Sequence, residues 1–143
     1  MTNGSGELER QRFTTYALSS ILPDGDVLTL DSDQGILSQL HECNIIEQQL
    51  LSPSEMYVVE ALLKNHPNYS PYEMVLSAMT GKSVEKCRER VNWGLDNTAV
   101  DVVMRPVRNL LGRVRMKLNP FGVQVKSIVN MGYMLVHTGR GIR

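Results

Sequence analysis

The sequence predicts an α+β domain: short strands first, then a run of helices, then a terminal β-hairpin. Three observations carry that reading. Apolar runs between 26 and 51 are short and separated by turn residues. Two helix starts are spelled alike, Ser52-Pro53-Ser54-Glu55 and Ser70-Pro71-Tyr72-Glu73. After 119 the apolar period falls from helical spacing to two. The 143 residues suit one domain with an appended arm, and 42% apolar with 21% charged residues suits a chain that buries a core.

Residues 1–24 are polar, with Gly4 and Gly6 and no clear period before "FTTYALSSIL", and read as an N-terminal arm. The domain is expected over 25–143. "DVLTL" (26–30), bounded by Pro23-Asp24-Gly25 and Asp31-Ser32-Asp33, is a short strand. "GILSQL" and "IIEQQLL", split by the polar "HECN", read as two more strands, with one helix over 36–51 as the alternative. At each S-P-x-E, serine can cap the N3 amide, glutamate can return to the cap amide, and proline at N1 loses no intrahelical bond. The first helix turns Met56, Val59, Leu62 and Leu63 inward. The second turns Tyr72, Val75, Leu76 and Met79 inward and stops at Gly81.

A third helix is expected over 83–97 with Val84, Cys87 and Val91 inward, closed by Gly94 and Asp96-Asn97. "TAVDVVM" (98–104) then links it to a helix opened by Pro106 and broken by Asn119-Pro120. Val123, Val125 and Ser127 alternate with Gln124, Lys126 and Ile128. Asn130-Met131-Gly132 turns the chain, and Tyr133 to Val136 returns.

Net charge is zero, but its distribution is uneven. Residues 1–101 hold all fifteen acids and seven basic residues, and 102–143 hold eight basic residues and no acid. That segregation points to one face that meets a polyanion. Its centre is "RPVRNLLGRVRMKL", where Val107, Leu111, Val114 and Leu118 form an apolar stripe with Leu110 at its edge. Arg105, Arg108, Asn109, Gly112, Arg115 and Met116 share the opposite face, flanked by Arg113 and Lys117. Gly112 costs on the order of 1 kcal/mol of helix propensity, which makes sense where a phosphate or base edge approaches closely. The plainer alternatives are a solvated cationic face and a partner-binding helix. A membrane-lying helix would want aromatic anchors, and this one has none. A capped helix pair before it and a hairpin bearing Lys126 after it favour a recognition helix beside a wing.

These residues carry a resemblance. "LLSPSEMYVVEALLKN" resembles the first helix of OmpR/PhoB-type winged helix-turn-helix domains, L-T-x-x-E-x-x-L-L-x-L-L, and "SPYEMVLSAMTG" resembles their second. "VRNLLGRVRMKL" with "FGVQVKSIVNMGYMLV" is similar to their recognition helix, V-D-V-x-I-x-x-L-R-x-K-L, and wing, I-x-T-V-x-G-x-G-Y-x-L. "GDVLTLDSDQGILSQL" matches a short N-terminal β-platform. The resemblance spans about 25–137 and implies a winged helix-turn-helix of three or four helices with a C-terminal hairpin. It also implies sequence-specific binding of double-stranded DNA by a bacterial or phage transcription regulator. Arg105, Arg108, Asn109, Gly112 and Arg115 would face bases or phosphates, Arg113 and Lys117 flanking phosphates, and Lys126, Asn130 and Met131 the wing's minor groove. A homodimer is expected, with RNA polymerase as a further partner. The alternative is a winged-helix protein-interaction module that binds RNA polymerase or another regulator.

This sequence departs from that pattern in three respects. Arg108 stands where the family has an acid, Asn130 stands where its wing has an arginine, and 83–104 is an enlarged loop before the recognition helix. No receiver domain is expected. In a competing register, "SPYEMVLSAMTGKSVEKCRERVNW" is itself the helix-turn-helix and presents Lys86, Arg88 and Arg90, with Glu85 and Glu89 opposing phosphate among them.

No enzyme, cofactor or metal is expected. "TGKS" (80–83) lacks the glycine five residues before Gly81 and follows a helix rather than a strand, so no phosphate cradle forms. His41-Glu42-Cys43 has no second ligand pair, and His66 and His137 stand alone. Trp93 is expected to pack rather than stack on bases. No apolar run approaches the roughly 20 residues of a membrane span, and "MTNGSGELERQRF" has no signal-peptide core. A cytoplasmic location is expected, with Cys43 and Cys87 as reduced thiols.

Overall fold

In the computed structural model, which describes residues 13–139, β1 (Phe13–Tyr16), β2 (Asp26–Asp31), β3 (Ile36–His41) and β4 (Asn44–Leu50) form one sheet in sequential order. All neighbours are antiparallel. Of the expected arm, residues 1–12 lie outside the described ones. Phe13–Tyr16 pairs with β2, and Leu18, Ile21 and Leu22 are buried. The two-strand reading of 36–51 holds because "EC" is a two-residue hairpin turn. Glu42 (φ 51°) and Cys43 (φ 69°) are both left-handed, a conformation no helix through 36–51 could contain. At the other end of β3, Gly35 (φ 72°) lets the chain approach closely. A Cβ there would stand 2.6 Å from the Leu51 carbonyl, and Leu51 donates its N–H to Gly35.

The inner face of this sheet contributes Leu28, Leu30 and Leu37 to the core. It also carries a polar island. Buried Asp26 accepts from Gln39 Nε2 at 2.9 Å and pairs with His41 Nδ1 at 2.6 Å. The His41 hydrogen bond holds the Asp26 carboxyl below its ordinary range, and Asp26 in turn raises His41.

Helix α1 (Pro53–Asn65) begins as its sequence signal requires. Glu55 donates its N–H to Ser52 Oγ at 3.3 Å, and Ser52 donates its own to Glu55 Oε1 at 2.9 Å. Met56, Val59, Leu62 and Leu63 are buried as expected. The second S-P-x-E behaves differently. Ser70 and Pro71 form the two-residue strand β5, and α2 (Tyr72–Thr80) has no side-chain cap. Ser70 Oγ instead donates to the Ala61 carbonyl at 3.2 Å and accepts from Asn65 Nδ2 at 2.9 Å, closing the end of α1. A cap is dispensable because Tyr72 donates its N–H to the Met131 carbonyl at 3.1 Å. Gly81, left-handed at φ 78°, ends α2 as expected.

Helix α3 (Val84–Asp96), capped by Ser83, buries Cys87 and Val91. Gly94 does not terminate it. It is buried inside the last turn, where a Cβ would meet Val103 Cγ2 at 3.0 Å and Val100 Cα at 3.1 Å. The glycine therefore sets how closely α3 approaches the next helix.

That helix, α4 (Val100–Leu118), begins six residues before Pro106, which lies inside it rather than opening it. An interior proline ordinarily costs about 3 kcal/mol. Burial of Val103 and Met104 in the extra turn opposes that cost. The carbonyl that Pro106 leaves without an N–H belongs to exposed Val102, where water can take the bond. The expected linker at 98–104 is thus mostly helix. Val107, Leu110, Leu111, Val114 and Leu118 are all buried. After a 3-10 turn (Asn119–Phe121), β6 (Val123–Ile128) and β7 (Gly132–His137) form the hairpin, and β7 also pairs with β5. The described residues form an α+β fold of winged-helix form: a platform sheet, four helices and a C-terminal hairpin.

Candidate nucleic-acid interface

The outward face of α4 holds Arg105, Asn109, Gly112 and Met116, all exposed, together with Arg108, whose side chain is half exposed. Space beyond Gly112 is open, with no atom within 4 Å of where a Cβ would stand. Arg108 Nη2 donates to Asp101 Oδ1 at 2.7 Å, two turns back on the same helix. Asp101 is well exposed, so this is a surface pair, weak enough to open to a competing anion. Burial alone would lower the Arg108 pKa, but the Asp101 hydrogen bond and charge outweigh it and raise it. The Tyr133 hydroxyl nearby is buried and has no partner of good hydrogen-bond geometry among the described residues. Burial raises its pKa, and Arg108 opposes that rise through its charge.

The flanking cations have other partners. Glu55, buried at the start of α1, accepts from Lys117 Nζ at 2.7 Å and from Arg113 Nε at 3.2 Å. Lys117 also donates to the Leu50 carbonyl at 2.8 Å. Burial pushes the Glu55 carboxyl up, but Lys117, the Ser52 amide and Arg113 together hold it below the ordinary range. Arg113 keeps 63% of its side chain exposed, whereas Lys117 keeps 33%. Arg115 is fastened to the hairpin by two donations at 3.3 Å, Nε to the Val125 carbonyl and Nη2 to Ser127 Oγ.

At the wing, Lys126 points outward from β6, and Asn130 and Met131 are exposed at the turn. Asn130 is left-handed (φ 60°), a conformation its short amide tolerates. Its N–H donates to Tyr72 Oη at 3.1 Å, and the Tyr72 ring lies 5.5 Å from that of Tyr133. The turn is thereby anchored to the first residue of α2.

Arg105, Arg108, Asn109 and Gly112 therefore share one open row, and Arg115 ties that helix to the hairpin bearing Lys126, Asn130 and Met131. Glu55, Asp101 and Ser127 complete the arrangement and had no functional signal in the sequence. Glu55 was legible only as a capping residue, because its partners lie 58 and 62 residues downstream. In the competing register, Arg88 pairs with Glu73 at 3.5 Å and Arg90 lies over Trp93. Trp93 itself is half exposed, contrary to the packing role expected of it. Among the described residues no helix is long and apolar enough to cross a membrane, and no three His, Cys, Asp or Glu could together hold a metal ion.

No protein-family profile matches the chain, and no curated protein matches it. Among solved structures it is similar to the C-terminal domain of the nisin resistance regulator NsrR, a lantibiotic response regulator. The identity is 21% over 81% of this chain and 96% of that one, with a TM-score of 0.49.

Proposed function

We propose that this chain binds double-stranded DNA with sequence preference and regulates transcription, in the cytoplasm of a bacterium or of a phage-infected host. The observation that carries the reading is the exposed row Arg105–Arg108–Asn109–Gly112 on a long helix beside a hairpin whose outward residues include Lys126 and Asn130. An α-helix fits the major groove, where an arginine reads guanine O6 and N7 and an asparagine reads adenine N6 and N7. Arg105 and Arg108 supply the first capacity, Asn109 the second, and Gly112 admits the sugar-phosphate edge. Arg113, Arg115 and Lys117 add positive potential at the groove's margins, Arg113 with the most freedom to turn to a phosphate. Lys126, Asn130 and Met131 reach the neighbouring minor groove. A second copy would double this small interface, as regulators that read paired half-sites do.

The test is duplex binding against salt. Neutralisation of about five phosphates gives a slope of log affinity on log salt near −4 to −5, and substituting Arg105 and Arg108 together by alanine should weaken binding and erase most of the preference for one duplex over a random one. Equal duplex affinity at low salt for wild type and R105A/R108A defeats the proposal.

A second reading, a protein-interaction module for RNA polymerase or another regulator, is favoured by one observation. Trp93, Leu95 and Val102 are exposed around the α3–α4 junction. Polymerase retention that survives R105A/R108A but is lost in W93A/L95A supports it. Deleting α3 would not test it, because Cys87 and Val91 belong to the core.

A further inference from the structure

A cleft of about 380 Å³ opens between α2, α3 and the first two turns of α4. Its floor is apolar and buried: Leu76, Cys87 and Val103. Its rim is cationic: Lys82, Lys86 and Arg90, with no acid among the lining residues. Among the described residues neither lysine has an ion-pair partner, and neither Glu85 nor Glu89 lines the cleft. Lys82 and Lys86 bracket the first turn of α3, whose dipole adds to the positive potential there. Arg90 lines the cleft, and its guanidinium lies over Trp93, 5.5 Å from the ring centroid.

We infer that this cleft binds a small amphipathic organic acid, its carboxylate held between Lys82, Lys86 and Arg90 and its hydrocarbon body against Leu76, Cys87 and Val103. The volume is that of a small-molecule site. An apolar floor beneath a cationic rim matches a molecule with one anionic end and one oily end. A nucleotide would press its sugar and base against a floor with few hydrogen-bonding groups. A peptide helix would need a longer furrow. The inference does not rest on DNA binding, because none of the lining residues belongs to the row Arg105–Arg108–Asn109–Gly112 or to the hairpin.

Trp93 is the single tryptophan and contacts Arg90, so its fluorescence reports occupancy. The experiment titrates the whole chain with sodium decanoate below its micelle concentration, with decanol and inorganic phosphate as comparison probes. The expected result is a saturable change with one decanoate per chain, and at least tenfold weaker responses to decanol and to phosphate. K82A/K86A, both exposed positions, should weaken decanoate at least tenfold. V102F, which narrows the mouth and leaves the charges in place, should weaken it at least fivefold. An unsaturable response, a decanol response equal to that of decanoate, or wild-type affinity in either variant overturns the inference.

Discussion

The two sides of α4 carry the same kinds of residue and put them to different ends. Arg105 and Arg108 on the outward side face solvent, the second paired with an exposed aspartate. Arg113 and Lys117, on the flank, converge on one buried carboxylate at the start of α1, and Arg115 is bonded to the hairpin. A run of basic residues therefore has no single meaning. What separates the two sides is desolvation. A surface pair such as Arg108–Asp101 is worth between zero and about 1 kcal/mol, whereas Glu55, away from water, makes its cation partners costly to remove. The outward side is available to a partner, and the flank fastens the helix to the body.

R105A/R108A should weaken duplex binding by about 3 kcal/mol, roughly a hundredfold, while the unfolding free energy from urea titration stays within about 0.5 kcal/mol of wild type. A comparable loss of stability would show that these arginines fasten too. From the flank the pattern inverts. Glu55→Gln leaves two cations facing a neutral amide and should cost about 2 kcal/mol by urea denaturation, with duplex affinity of the folded fraction changed less than threefold. Acid sharpens the same point. The folded Glu55 carboxyl lies below its ordinary value of 4.5, so its stabilisation is complete above that value and is lost as pH falls through the lower folded one. E55Q should flatten the stability profile over that acid interval, because the loss of about 2 kcal/mol is full near neutrality and shrinks as pH falls through it. The smallest effect belongs to Asp101→Ala. It frees Arg108 and removes a negative charge from the interface, so duplex affinity should rise two- to fivefold, with about 0.5 kcal/mol lost from the helix start.

Local patterns were read correctly where local chemistry decides the outcome. The Ser52 capping box, the left-handed stop at Gly81 and the apolar stripe from Val107 to Leu118 all appear as expected. The second S-P-x-E shows the limit. Its letters match the first, but Ser70 is drawn to Ala61 and Asn65, and the Tyr72 amide is satisfied from residue 131. Pro106 misled for a related reason. A proline near the front of an amphipathic stretch reads as position N1, yet contacts of Val103 and Met104 extend the helix one and a half turns beyond it. Within the candidate interface, the outward row on α4 was legible from a helical wheel. The claim of Glu55 on Arg113 and Lys117 was not, because nothing nearby in the chain relates them.

Gly132 sets the attitude of the hairpin. With no side chain there, β7 lies directly against Ser70 and Pro71, where any Cβ would collide with the backbone. Together with the Tyr72–Met131 and Asn130–Tyr72 bonds, that contact makes the tip a rigid outrigger of the bend between the first two helices rather than a free-swinging flap. Its inclination is thus governed by a bend some sixty residues away along the chain. Lengthening the tip at 129–131 should leave that inclination intact, whereas even a methyl group at 132 should tilt it.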